Sequence, residues 1–160
     1  MSTESMAKTK PSTSIMSMVG RVEAWIADMA PLPARVFIAA IFIWSGTHKI
    51  FGWEGTAGYM ESRGMFLVEF FLLGAIILEL GGGLSVLTGL KTRLGAIALI
   101  VFLVPTTFIF HSWWTYPPEE QRMQMINFMK NFAVIGGLMY VLSFGGGRFS
   151  LDRLIGKRKT

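Results

Sequence analysis

Apolar residues gather in four long runs, at about Leu32–Phe51, Met65–Leu87, Leu94–Phe110 and Met125–Phe144, separated by short polar stretches. Each run approaches the roughly 20 residues that a helix needs to cross about 30 Å of hydrocarbon. A backbone in lipid must satisfy its own polar groups, so a spanning segment is a helix or part of a closed barrel. Continuous apolar runs, rather than strict alternation, select helices. The third run is the shortest and carries Pro105, a candidate kink, while Pro31 and Pro33 punctuate the start of the first. Ahead of them, Ile15, Met18, Val19, Val22, Trp25, Ile26 and Met29 fall on one helical face, with Ser17, Arg21, Glu23 and Asp28 mostly off it. That spacing predicts an amphipathic helix lying on the membrane surface. A secretory signal is the competing reading, but the stretch lacks a continuous apolar core.

The expected fold is therefore all-α and integral to the membrane: a four-transmembrane-helix bundle preceded by an interfacial helix. Residues 1–14 read as a disordered polar N-terminus, 15–30 as the interfacial helix, 31–147 as the transmembrane domain and 148–160 as a basic tail. Composition agrees. The 160 residues are 52% hydrophobic and 16% charged, with a mean hydropathy of +0.50. Soluble domains carry about 25% charged residues, and one this small could not hide so much apolar surface. The absence of cysteine excludes a disulfide scaffold, a CxxC redox site, iron–sulfur ligation and a cysteine nucleophile. It also excludes the vitamin-K-reductase type of four-helix redox protein. The length leaves no room for a second catalytic module.

Charge sets the expected topology. Lys8, Lys10, Arg21, Arg35, Lys91, Arg93, Arg148, Arg153, Lys157, Arg158 and Lys159 fall on one side of the four spans, eleven of the 15 basic residues. The positive-inside rule then places both termini in the cytoplasm. Such a basic rim needs no nucleic acid to explain it; a specific anionic-lipid site is the alternative. The opposite side carries loops at 52–64 and 112–124, with Trp53, Tyr59, Trp113, Trp114 and Tyr116. These aromatics read either as an interfacial belt or as walls of a site. Pro117 and Pro118 punctuate the second loop, and the tandem glycines Gly81–Gly83 and Gly136–Gly137 read as close helix packing.

Chemistry inside a membrane is marked by ionisable residues at depth. Glu79 lies about 14 residues into the second run, roughly 20 Å along its axis. It must be protonated or paired, with Arg35 or Arg93 as candidate partners, and it reads equally as a structural ion pair or a proton site. A second polar level lies toward the loop side. Ser45, His48 and Lys49 share a helix face, Glu69 is near the same depth, Thr107 and His111 follow on the third run, and Asn127, Lys130 and Asn131 on the fourth. Lys49 alone could be snorkelling. Four helices contributing at one level instead suggest a polar cavity walled by aromatics, suited to an amphipathic ligand such as a quinone. His48 and His111 could face each other across a haem iron, a reading nothing else supports. A metal site from His48, His111 and Glu69 is equally weakly supported, because no close ligand spacing is present, and the sequence carries no phosphate loop, GxSxG elbow or HExxH motif.

Several segments carry a family likeness. RVFIAAIFIWSGTHKIF (35–51), LELGGGLSVLTGLKTRLGAIAL (78–99) and FIFHSWW (108–114) resemble the DoxX family of four-helix bacterial membrane proteins. The resemblance covers about Arg35 to Phe144 and carries over Arg35, Ser45, Lys49, Glu79, Arg93 and His111. It implies an inner-membrane protein, and some family members serve redox assemblies, including a thiosulfate:quinone oxidoreductase. A more distant likeness to eukaryotic sterol-binding four-helix proteins implies a lipid-like ligand. Fold likeness does not transfer an activity. Two readings therefore stand. In the first, the chain is a quinone- or lipid-binding subunit of a redox assembly, with Lys49 and His111 on the quinone and Glu79 or Glu69 handling protons. In the second, it is a non-enzymatic docking subunit of a larger membrane complex. A small-solute or lipid transporter is a third option. Membrane lipids and partner proteins are expected in either of the first two, with no intrinsic cofactor.

Overall fold

The computed structural model describes residues 13–157. The polar stretch before Thr13, expected to be disordered, and the basic residues Arg158 and Lys159 lie outside them. The described chain is helical almost throughout: α1 (Thr13–Met29), α2 (Pro31–Phe51), α3 (Trp53–Ser62), α4 (Val68–Thr88), α5 (Thr92–Phe110), a 3₁₀ turn at Trp113–Thr115, α6 (Pro118–Phe144) and α7 (Leu151–Lys157). Four segments are long and apolar enough to span a membrane, carried by α2 (in one continuous stretch with α1), α4, α5 and α6. The four spanning helices are apolar on their outer faces as well as in the core. Phe37, Trp44, Phe70 and Ile77 are each exposed by 60% or more, as expected where lipid tails form the outer solvent.

Two differences from the sequence reading concern the loops. Residues 53–62 form a helix rather than irregular chain, and α6 begins at Pro118, well before Met125. Pro118 occupies the first helical position, where its missing N–H costs nothing, and Glu119 and Glu120 sit in the first turn. The same proline that ends a helix from one side therefore opens one toward the other. Pro105 lies inside α5, which continues on both sides of it.

Neighbouring spans pack in chain order, α2 on α4, α4 on α5 and α5 on α6, while α2 and α6 meet over a much smaller surface. Glycine sets the close approaches. A Cβ on Gly82 would meet Leu99 at 2.7 Å and the Gly95 carbonyl at 3.1 Å, so α4 and α5 touch nearly backbone to backbone. Gly83 faces Ile43 of α2, whereas Gly81 and Gly136 face open space. The packing role read from the tandem glycines thus belongs to specific members of each set. One apolar cluster (Ala39, Phe42, Val86, Leu99, Phe102, Leu138 and neighbours) joins all four spans. A second (Met60, Val68, Leu72, Ile76) seats α3 against the start of α4.

Both ends of the spanning bundle lie on one face, which also holds the α4–α5 turn and α7. Gly89 (φ +72°) and Lys91 (φ +50°) make that turn left-handed, and for lysine this costs about 1 kcal/mol. Asp152, in the first turn of α7, offsets it. Its carboxylate accepts from the Lys91 N–H (2.7 Å), the Thr92 N–H (3.0 Å) and the Thr92 hydroxyl (2.9 Å). In return its own N–H donates to the Gly89 carbonyl at 2.9 Å. This carboxylate caps α5 from a distant part of the chain. Partial desolvation pushes its pKa up, but the Thr92 and Lys91 hydrogen bonds and the nearby Arg35 charge outweigh that and hold it below the ordinary carboxylate value. A depressed folded pKa means the stabilisation is present above the unfolded pKa and is lost as pH falls through the folded one. Asp152→Asn should therefore lower stability at pH 7 by about 1 kcal/mol, with the gap to wild type closing below about pH 4. Thermal unfolding in detergent across pH 3–7 checks this; a gap that does not change with pH would show that the carboxylate charge is not involved.

Candidate functional site

Lys49 lies two residues before the end of α2, where a lysine could simply reach out to the headgroups. It does the opposite. Helical side chains lean toward the N-terminus of their own helix, and the N-terminus of α2 is on the far face. Lys49 therefore points down into the bundle, its Nζ donating to Ser45 Oγ one turn below (2.6 Å) and to Glu79 Oε1 of α4 (3.1 Å). Glu79 lies eleven residues into α4, roughly 16 Å along its axis. Because α4 runs antiparallel to α2, its carboxylate leans up toward Lys49. Snorkelling is therefore not the role of this lysine.

The approach of the two helices makes the pair feasible. A Cβ on Gly46 would lie 2.9 Å from Leu80 and 3.3 Å from Glu79 Cβ, so only glycine lets α4 come this close beside Ser45 and Lys49. Glu79 is buried, 1% exposed. Nζ also stands 2.9 Å from its second oxygen, Oε2, so the ammonium straddles the carboxylate. Phe102 of α5 backs the ammonium, with its ring centroid 5.8 Å from Nζ. The pair thus joins three helices.

These groups line a cavity of about 1150 Å³, whose walls come from α2, α3, α4 and α5, with His111 and Asn131 added. Trp44, Phe66, Phe70, Phe71 and Phe110 make it largely aromatic and apolar. Helix α3 closes one end. Tyr59 stacks on Phe110 at 5.5 Å, and its hydroxyl lies 3.3 Å from that of Tyr116, which itself donates to the Phe110 carbonyl at 2.7 Å. Arg63 sits over the Tyr116 ring at 4.4 Å. Desolvation, followed by the hydrogen bond to Tyr116, pushes the Tyr59 phenol up to about 12, so it stays neutral at physiological pH.

Of the expected site residues, Ser45, His48, Lys49, Glu79, His111 and Asn131 all line this cavity. His48 is exposed; its ring packs on Trp44 at 4.3 Å, and Nδ1 lies 3.2 Å from the Trp44 carbonyl. His111 Nδ1 is 2.8 Å from Gln124 Oε1, and Asn131 donates to Thr107 Oγ1 at 3.0 Å. Glu69 and Lys130 are exposed and lie outside the lining. The partner of Glu79 is Lys49, in place of Arg35 or Arg93. Arg35 is buried at the opposite face, donating to the Phe149 carbonyl at 2.5 Å, and Arg93 donates to Ser143 near the end of α6 at 3.1 Å. Phe102 and Arg63 were not singled out in the sequence. Both lie in segments whose faces become clear only once the helices are arranged.

The DoxX family model matches residues 30–112, and the SURF4 family model matches residues 83–159. "Inner membrane protein YqjF" of Escherichia coli is 37% identical over 133 residues, covering 83% of this chain and 97% of that protein. "Inner membrane protein YphA" of the same organism is 32% identical over 122 residues, covering 76% and 87% respectively. A "Surfeit locus protein 4 homolog" of Schizosaccharomyces pombe is 29% identical over 112 residues, 59% of this chain but 37% of that protein. No solved structure matches the chain. With its four spanning helices and a family match over more than half its length, the chain belongs to the DoxX family of membrane proteins.

Proposed function

We propose that this protein binds an amphipathic ligand of the quinone class in the cavity between α2, α4 and α5, as a membrane subunit serving a redox assembly. The observation that carries this reading is a large aromatic-walled cavity with one charged pair, Lys49 and Glu79, at its polar end. Apolar pockets with a few convergent polar groups are the usual form of small-ligand sites. An aromatic ring would lie against Phe102 and Trp44, its polar substituents would reach Lys49, and its tail would extend into lipid. His111 and His48 offer further hydrogen bonds at the wall. The chain sits in the inner membrane with both termini in the cytoplasm, following its basic rim, so the cavity belongs to the outer half of the bilayer. With no cysteine in the sequence, electrons would come through a partner protein.

The docking reading draws on α1, which leaves Met18, Val19, Val22, Trp25 and Ile26 each about half exposed or more. On that reading α1 lies on the membrane surface and offers this face to lipid or to a partner. One measurement separates the two. Decylubiquinone titrated into protein in nanodiscs should quench tryptophan fluorescence saturably, since Trp44 lines the cavity. Lys49→Met should weaken that binding at least about tenfold, the worth of one charge-assisted hydrogen bond. Quenching that never saturates, or that Lys49→Met leaves untouched, would discard the ligand site and favour docking.

A further inference from the structure

The cavity has a second polar pole, at the end that α3 closes. Beyond its two histidines, the charged side chains in its walls are Lys49, Glu79 and Arg63. Lys49 and Glu79 neutralise each other at 2.9 Å, which leaves Arg63 as the uncompensated charge. Its guanidinium lies 4.4 Å from the Tyr116 ring centroid, and among the described residues it forms no salt bridge and no hydrogen bond. Tyr116 is buried and donates to the Phe110 carbonyl, so it is a fixed platform that holds the guanidinium in place while its N–H donors stay unused. Glu61 and Glu120, at the same end, are exposed and do not pair with it. A half-buried guanidinium with unused donors suits a phosphate or carboxylate, which it can grip through two parallel hydrogen bonds.

The space beneath Arg63 is elongated. Phe70, Gly74 and Leu78 follow one another at four-residue spacing down one face of α4, and all three line the cavity. Nothing lies within 4 Å of a Cβ placed on Gly74, so the middle of this stripe is a trough. At about 1150 Å³ the cavity also exceeds the roughly 300–1,000 Å³ of most small-ligand pockets. Its wall is open to lipid, since Phe66 and Phe70 are each exposed by 70% or more. We infer that the α3 end of the cavity holds an anionic amphiphile, with its phosphate or carboxylate on Arg63 and its acyl chain running down past Gly74. Because α3 lies at the end of the bundle, such a lipid keeps the orientation it has in that leaflet, head outward and chain inward. The inference goes beyond the quinone site and does not depend on it.

The test is native mass spectrometry of the full-length protein in mild detergent, titrated with phosphatidylglycerol, with phosphatidylcholine of the same acyl chains, and with oleate. Wild type should bind phosphatidylglycerol at least about tenfold more tightly than phosphatidylcholine, the worth of one charge-assisted hydrogen bond. Arg63→Gln should bring that ratio close to one, and Arg63→Lys should keep most of it. The basic rim on the opposite face also attracts anionic lipid, so Arg153→Gln, at an exposed position there, is the control and should leave the ratio as in wild type. Gly74→Phe fills the trough with Arg63 intact and should weaken phosphatidylglycerol binding by a comparable factor. Displacement of phosphatidylglycerol by oleate would extend the accepted heads to a carboxylate; no displacement would confine them to a phosphate. Equal wild-type affinities for the two phospholipids, or a preference that survives Arg63→Gln, would overturn the assignment of Arg63. Wild-type binding by Gly74→Phe would overturn the seating of the chain in the cavity.

Discussion

Glu79→Ala will destabilise this protein by about 3 kcal/mol, while the double change Glu79→Leu with Lys49→Met will return stability to within about 1 kcal/mol of wild type. The reasoning starts from where the two charges are. Glu79 is 2% exposed at its side chain and Lys49 21%, with Nζ 2.9 Å from the carboxylate. Removing the carboxylate alone leaves an ammonium held among Phe102, Ser45 and the cavity wall. Breaking a buried pair from one side costs about 3–5 kcal/mol because the remaining charge is uncompensated. The lower end applies here, since Lys49 retains Ser45 and some access to the cavity. Replacing both with apolar residues of similar size removes the desolvation cost together with the attraction. Thermal unfolding in detergent of Glu79→Leu, Lys49→Met and the double variant completes the cycle, and the coupling should exceed about 2 kcal/mol. A Glu79→Ala protein as stable as wild type would mean that the pair is hydrated through the cavity and carries no structural load. If the double variant is stable yet no longer binds decylubiquinone, stability and ligand binding separate cleanly, and the pair exists for the ligand.

What could be read from the chain divides along a physical line. The four spans were legible because lipid demands internally satisfied backbone, and each run is long enough to meet that demand. Helix α3 was not, because WEGTAGYMES has a weak apolar face and two glycines; packing on Val68 and Leu72 makes it a helix, rather than intrinsic propensity. The early start of α6 was legible in part: Pro117 and Pro118 marked a boundary, but whether a helix ended or began there depended on the acidic first turn that follows. For the site, Ser45, Lys49 and Glu79 stood out because polar groups at depth are costly. Their pairing did not, because it depends on which helices are neighbours. The direction of Lys49 was in principle available, since side chains lean toward their helix's N-terminus. That rule turns Lys49 inward and Glu79 toward it. Arg35 misled for the complementary reason. It lies at the other end of α2, and its burial comes from the chain around Phe149, more than 100 residues away in sequence.

That far end supplies the second large effect. Gly89→Ala should cost more than about 3 kcal/mol, with a mechanism confined to the face that carries both ends of the bundle. Gly89 has φ +72°, where an added Cβ is strained by about 1 kcal/mol on its own. The Cβ would also collide with Arg35 Nη1 and lie 2.5 Å from Ser150 Cβ. Arg35 has nowhere to retreat. It is 1% exposed and bonded to the Phe149 carbonyl, and Gly146 on the other side likewise has no room, its own Cβ position lying 3.1 Å from the same Nη1. Relieving the clash must push the 146–152 segment away, and with it Asp152, the cap of α5. Gly81→Ala and Gly136→Ala are the controls, since nothing lies within 4 Å of either Cβ position; helix propensity should make them neutral or slightly stabilising. Protease cleavage near the C-terminus, read beside thermal unfolding, should rise steeply in Gly89→Ala and stay at the wild-type level in the controls. The decisive variant combines Gly89→Ala with Arg35→Ala. If Arg35 is what the new methyl meets, the two losses will be strongly non-additive, because the second change removes the obstacle the first created. Additive losses would mean that the turn's left-handed backbone, rather than the packed guanidinium, is what glycine protects.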